Sequence, residues 1–223
     1  MAIITFINDV NVISTGYSSI IGQLDWQPTG TGNQQAIDIA NYFNEKVEGV
    51  AAIYTSGARR VSKLIHNIRT TSKDRYLLSV QPQEAPELLE RNFGVLQGNT
   101  YTFQSDIFKH SRICAEGGES IAQCRDRAIL LVQGILKQRV THALLVSHPF
   151  LCQILSNWMA NQALTRLTNF WMTKGSFATF ESTVSGWAFM SAHNALTGRS
   201  YKLVLADGES IYNNLEFVGH LDV

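Results

Sequence analysis

Val50-Ala-Ala-Ile-Tyr-Thr-Ser-Gly-Ala-Arg-Arg60 decides the fold. Val50 to Thr55 is a short apolar run containing β-branched residues, as expected of a strand buried on both faces. Ser56 and Gly57 end the run and open a helix from about Ala58 to Ile68. A buried strand that feeds straight into a helix is the unit from which a parallel sheet with helices on its faces is built.

The same alternation extends in both directions. Ala2 to Ile7 reads as a first buried strand. Asp25 to Asn33, rich in Gly, Pro and Thr, reads as loop. Gln34 to Val47 carries Ala36, Ile39, Ala40 and Phe43 at helical spacing and is stopped by Gly49. Tyr76 to Val80 is expected as a third strand, and Pro82 and Pro86 break the chain after it. Gly118 and Glu119 precede a long helix through Ile121, Ala128, Leu131, Val132 and Ile135. Ala143 to Ser147 is a fourth buried strand, and Phe150 to Ala160 a further helix. Phe177 to Glu181, Trp187 to Ala192 and Tyr201 to Ala206 are strand-like pieces separated by turns, suited to antiparallel strands at one edge. The expectation is an α/β fold: a mostly parallel sheet with helices on both faces, in one domain over residues 1–223.

Composition narrows the function classes. With 45% hydrophobic and 16% charged residues, the 223-residue chain is long enough to bury one sizeable core and too apolar to be disordered. Lys plus Arg total 18, as do Asp plus Glu, so the bulk charge argues for no nucleic acid and no anionic membrane as partner. No apolar run approaches the roughly 20 residues of a spanning helix. The first residues lack the basic region of a signal peptide. Cys114, Cys124 and Cys152 show no CxxC spacing, and three cannot all pair. A protein of the reducing cytoplasm is expected, with no metal and no cofactor.

Ligands of open α/β sheets bind beyond the carboxyl ends of the strands. The first strand ends at Asn8 and Asp9. The second ends at Thr55 and Ser56, followed by Arg59 and Arg60. The fourth ends at Ser147 and His148. Three strand ends can thus deliver an aspartate, an arginine and a histidine into one crevice, and Glu90, in a segment bounded by Pro and Gly, can reach the same place. Taken singly, each has a plainer role: Asp9 as a turn former, Arg60 as a solvated surface residue, His148 as a satisfied buried histidine, Glu90 as a surface partner of Arg91.

In order along the chain, these segments resemble the histidine phosphatase (phosphoglycerate mutase-like) superfamily. Asp25-Trp-Gln-Pro-Thr-Gly-Thr-Gly-Asn-Gln-Gln-Ala36 matches that family's Asp-x-x-Leu-Thr-x-x-Gly-x-x-Gln-Ala except for Pro28. Ala52 to Arg60 matches its strand ending in Ser before a helix opening with arginine. Glu90-Arg-Asn-Phe-Gly-Val-Leu-Gln-Gly98 matches its Glu-x-x-x-Gly-x-x-(Gln/Glu)-Gly. Gly117 to Ser120 matches its Gly-Gly-Glu-Ser, and Val146-Ser147-His148 its Val-Ser-His. The resemblance implies a three-layer sandwich of the phosphoglycerate mutase type. It also implies that Arg60 and His148 bind phosphate and that Glu90 acts as acid or base. Related proteins are often dimers, which leaves a homodimer open.

The sequence departs from the family at its catalytic centre. Where the family has Arg-His-Gly, whose histidine becomes phosphorylated, this chain has Asn8-Asp9-Val10; where it usually has Gly after the second histidine, this chain has Pro149, which offers no backbone N–H. A carboxylate about 4 Å from a phosphate charge is repelled by roughly 4 kcal/mol at an effective dielectric near 20. An ordinary phosphatase or mutase is therefore not expected. The expected function is acid/base chemistry on a small anionic, partly apolar metabolite, with Asp9, Glu90 and His148 catalytic and Arg60, Asn8, Ser147 and Arg59 binding the anion. Two alternatives stay open: an inactive pseudophosphatase in which Asp9 forms an ion pair with Arg60 or His148, and a phosphatase using Asp9 as nucleophile. Cap segments are expected at about residues 10–26 and 99–116, where Tyr17, Ile20, Ile21, Trp26, Tyr101, Phe103, Ile107 and Phe108 form either cap core or ligand wall.

Overall fold

The computed structural model describes residues 1–12, 19–100, 112–160, 174–203 and 215–217. The elements run in the order β1 (Ile3–Asn8), α1 (Gly30–Lys46), β2 (Ala52–Thr55), α2 (Arg59–Thr71), α3 (Arg75–Ser79), β3 (Pro82–Glu84), α4 (Ile121–Lys137), β4 (His142–Ser147), α5 (Pro149–Met159), β5 (Ser176–Thr183), β6 (Gly186–Asn194), β7 (Arg199–Leu203) and β8 (Leu215–Phe217). Short 3-10 turns lie at Pro86–Leu88 and Gly94–Leu96.

The strands form one sheet in the order β3-β2-β4-β1-β5-β6-β7-β8. From β3 to β1 neighbouring strands are parallel; from β1 outward through β8 each pairing is antiparallel. Strand alternation divides the core between two faces. Ile4, Phe6, Tyr54 and Leu145 pack with α4 and α5 through Cys124, Ala128, Val132, Leu151 and Leu155. Ile7, Ile53, Leu144 and Val146 pack with α1 and α2 through Ile39, Phe43, Val61 and Leu64. The chain leaves β1 for α1 on one face and leaves the adjacent β4 for α5 on the other. The crevice between these two carboxyl ends is the topological switch point, where such sheets take ligands.

Two expectations change in detail. Tyr76 to Val80 is not the third strand: Arg75–Ser79 is a short helix, because the Asp74 side chain accepts from the Tyr76 N–H at 2.8 Å and caps it. Leu77 enters the core there and Val80 packs against it, while Tyr76 and Leu78 are exposed. The third strand is Pro82–Glu84, at the sheet edge, where a proline is tolerated. Helix α1 starts at Gly30, inside the expected loop, because the Thr29 hydroxyl caps the Gly32 N–H at 2.8 Å. Gly32 is required there: a β-carbon would lie 2.0 Å from the Asn11 carbonyl oxygen. The last expected strand, to Ala206, is described only to Leu203.

Candidate active site

Register brings the cluster together. Asn8 pairs with Ser147 and Thr55 with Val146, so Asp9, Ser56 and His148 follow side by side from three adjacent parallel strands. Asp9 and His148 are 1% and 0% exposed, and Arg60, in the first turn of α2, is 3% exposed.

Asp9 Oδ2 is the hub. Arg60 Nε donates to it, and His148 Nδ1 lies 2.7 Å from it. Asp9 Oδ1 has no hydrogen-bond partner among the described residues and faces Lys174 Nζ at 3.8 Å. Burial by itself would raise the Asp9 pKa. Lys174, the hydrogen bond from His148 and the Arg60 guanidinium outweigh it and hold the carboxyl well below the usual carboxylate range. Arg60 is fixed by its remaining donors, Nη1 to the Leu24 carbonyl at 3.0 Å and Nη2 to that of Gly22 at 3.4 Å.

The tautomer of His148 is set by its neighbours. An ionised carboxylate only accepts, so Nδ1 carries a proton and donates to Asp9. Arg60 Nη2, 2.9 Å from the same nitrogen, cannot then be donating to it. In the neutral ring Nε2 is the acceptor, and the Ser56 hydroxyl lies 2.9 Å away and donates.

The other candidates sit elsewhere. Arg59 turns outward, with its side chain 64% exposed, and pairs with Asp25 at 3.2 Å; it does not join the cluster. Asn8 is buried at the end of β1. Ser147 Oγ donates to the Leu88 carbonyl at 2.6 Å and anchors the turn before Glu90. Glu90 accepts three backbone N–H groups, from Arg91 at 2.9 Å, Phe150 at 3.0 Å and Leu151 at 3.1 Å. Those last two donors are the free N–H groups of the first turn of α5, so Glu90 caps that helix. Its hydrogen-bonding is directed to the backbone, not toward Asp9, and the expected splitting of paired carboxylates does not set the state of Asp9. Pro149 offers no N–H to this turn, and its next two donors, Phe150 and Leu151, are taken by Glu90.

Lys174 and Ser56 are not among the site residues expected from sequence. The only sequence signals are a lysine before Gly175 at the start of a strand neighbouring β1, and a hydroxyl at a strand-to-helix turn. Of the cap residues, Ile20 packs with Phe93 and Leu96 in a small core of its own, and Ile21 and Trp26 are half-buried. Tyr17, Tyr101, Phe103, Ile107 and Phe108 lie outside the described residues. Among the described residues, no three His, Cys, Asp or Glu side chains gather as metal ligands, and no helix is long and apolar enough to cross a membrane.

Comparison with known proteins agrees with this fold. No curated protein matches in sequence. Among solved structures, a mycobacterial glucosyl-3-phosphoglycerate phosphatase in complex with vanadate superposes with a TM-score of 0.71 at 18% identity, over 85% of this chain and 98% of that one. Bacillus stearothermophilus YhfR gives 0.72 at 20% identity, over 85% and 95%. Mycobacterial hydrolase 1 gives 0.72 at 17%, over 85% and 96%. At these identities the likeness is one of fold. The family model of the histidine phosphatase superfamily (branch 1) matches residues 15–195, and the chain belongs to that superfamily.

Proposed function

We propose that this protein is a histidine-phosphatase-fold enzyme repurposed for acid/base chemistry on a small, partly apolar metabolite, and that it is not a phosphomonoesterase or mutase. In this reading Asp9 stands where the superfamily carries its phosphoacceptor histidine. The observation that carries it is the engagement of Arg60 and His148, the residues matching the family's phosphate ligands, by the protein's own Asp9 carboxylate. A phosphate dianion would have to displace that carboxylate or sit against it, and like charges in contact are unfavourable by several kcal/mol, about 4 at 4 Å. His148 is the acid/base group. Lys174, which donates to the Val10 carbonyl at 3.1 Å and is one-third exposed, is the cation of this cluster among the described residues that meets an anionic group of the ligand.

The near-complete burial of Asp9, Arg60 and His148 favours a second reading, a pseudoenzyme in which the ion pair is purely structural. One experiment separates the readings. The wild type and His148→Ala are incubated with a phosphomonoester panel and with a cell-extract metabolite pool. The expected result is no phosphate release and a metabolite product that depends on His148. Phosphate release by the wild type sinks the proposal, and the absence of any His148-dependent product establishes the pseudoenzyme.

A further inference from the structure

Ser56, His148 and Asp9 form a continuous hydrogen-bonded line. Ser56 Oγ is 2.9 Å from His148 Nε2, and His148 Nδ1 is 2.7 Å from Asp9 Oδ2. We propose that Ser56 is a nucleophile, with His148 as its general base and Asp9 as the residue that positions the imidazole, and that the substrate is a small carboxylic ester. The inference rests on the acid/base reading above and adds the nucleophile and the bond attacked.

Several independent features support it. The tautomer is the one that nucleophilic serine chemistry needs: Asp9 holds the proton on Nδ1 and leaves Nε2 free to accept from Ser56. The three residues come from distant parts of the chain, so no local hydrogen-bonding habit explains their line. Ser56 sits on a strand-to-helix turn, between the end of β2 and the start of α2. The following Gly57 takes φ 78°, a left-handed conformation that glycine adopts without strain, and the Ala58 N–H beyond it lies 3.4 Å from the Ser56 hydroxyl. At 8% exposure Ser56 is the most open of the three, which places the nucleophile at the accessible end of the line. The first turn of α2 comes directly after, which brings the positive end of its dipole close to Ser56. The charge balance also suits an ester: its carbonyl is neutral and meets no repulsion from Asp9, unlike a phosphate dianion.

The reaction balances within the residues present, with water as co-substrate. Ser56 Oγ attacks the carbonyl carbon as its proton passes to His148 Nε2. The tetrahedral oxyanion collapses, the bond to the alkoxy oxygen breaks, and His148 returns the proton to the departing alcohol. Water then attacks the acyl-serine, giving its proton to His148. The bond from Ser56 Oγ to the acyl carbon breaks, Ser56 is reprotonated, and the carboxylic acid leaves.

The test uses the full chain with a fluorophosphonate probe, peptide mass mapping, and hydrolysis of p-nitrophenyl acetate and butyrate. The expected result is a single adduct on Ser56, and hydrolysis reduced about 100-fold or more in Ser56→Ala and His148→Ala. Asp9→Asn is expected to lower hydrolysis about as strongly and to change its pH profile, because the amide favours the wrong imidazole tautomer; a merely structural Asp9 would leave the profile unmoved. Labelling of the wild type needs no variant to fold. No adduct on Ser56, or hydrolysis unchanged in Ser56→Ala, overturns the proposal. Turnover kept in Ser56→Ala but lost in His148→Ala overturns the serine nucleophile and leaves the acid/base reading standing, whereas turnover indifferent to both overturns both.

Discussion

Asp9 is held by donors in a nearly dry site: Arg60 and the His148 imidazole contact one oxygen, and the Lys174 ammonium faces the other. Removing one partner of a buried ion pair leaves the other charge uncompensated, which is typically destabilising by about 3–5 kcal/mol. Asp9→Ala is therefore expected to lower unfolding free energy by roughly that amount, measured by urea denaturation at pH 7. The pH dependence comes from the depressed pKa of the folded state. The unfolded chain takes up the proton first, so the contribution of Asp9 is fully present above the ordinary carboxylate range and is lost as pH falls through that range toward the lower folded value. The wild type should consequently lose stability more steeply below about pH 4 than Asp9→Ala does; parallel acid limbs would refute the assignment. At this scale the sequence is partly legible. Asp9, Arg60 and His148 can be placed together because each follows a recognisable strand end. Lys174 cannot, because its approach depends on β5 pairing antiparallel to β1, a pairing no local pattern encodes. Ser56 is visible as a strand end, yet its role depends on which nitrogen of His148 carries the proton.

Helix α5 shows how one element is held for the site. His148 is its N-cap residue, but the His148 side chain makes no capping bond and faces Asp9 and Ser56 instead. The cap comes from Glu90, which accepts from Phe150 and Leu151 across 60 residues of sequence. Glu90 is itself held by its neighbours. Arg91 donates to the Glu119 carbonyl at 2.9 Å and lies over the rings of Phe93 and Phe150, and Arg127 binds the Glu90 carbonyl at 3.1 Å and the Glu119 carboxylate at 2.7 Å. Losing a cap typically lowers stability by about 0.5–2 kcal/mol, and an unsatisfied buried donor by about 1–3 kcal/mol. Glu90→Ala should thus destabilise by about 2–4 kcal/mol, and Glu90→Gln, which keeps one acceptor oxygen, by less. If Glu90 were instead a proton donor to substrate, Glu90→Ala would abolish turnover without lowering the unfolding midpoint. The Glu90–Gly98 motif is readable in the sequence, but its position does not disclose its role. A carboxylate near a strand-end cluster looks like an acid or base until the N–H groups it accepts are known. Tyr76 to Val80 is ambiguous for a related reason: five apolar and polar residues suit a strand or a helix equally, and the Asp74 cap decides between them.

The molecule as a whole joins a parallel half-sheet to an antiparallel one, and β1 belongs to both. A line of polar side chains crosses this seam inside the core. His142 of β4 lies 3.0 Å through Nδ1 from the Glu48 carbonyl and 2.8 Å through Nε2 from the Thr5 hydroxyl of β1, which is 3.0 Å from the Thr179 hydroxyl of β5. The carbonyl can only accept, so Nδ1 carries the proton. The neutral Nε2 then accepts from Thr5, and Thr5 from Thr179. Protonating His142 would keep the bond to the Glu48 carbonyl and reverse the two donors beyond it, so that Nε2 donates to Thr5 and Thr5 to Thr179. Burial pushes the His142 pKa down, against the opposing pull of the Glu48 carbonyl. The sign is therefore fixed. Below the ordinary histidine range the unfolded chain binds a proton that the folded chain resists, so stability falls as pH drops through about 6.5 and stops falling on this account once the lower folded value is passed. The wild type should be measurably less stable at pH 5 than at pH 7. His142→Gln, whatever its stability at pH 7, should show a smaller difference between the two, with the remainder arising in part from His193, whose pKa burial also lowers. Chemical denaturation at the two pH values checks this, and an undiminished difference in His142→Gln would show that the seam does not sense the proton.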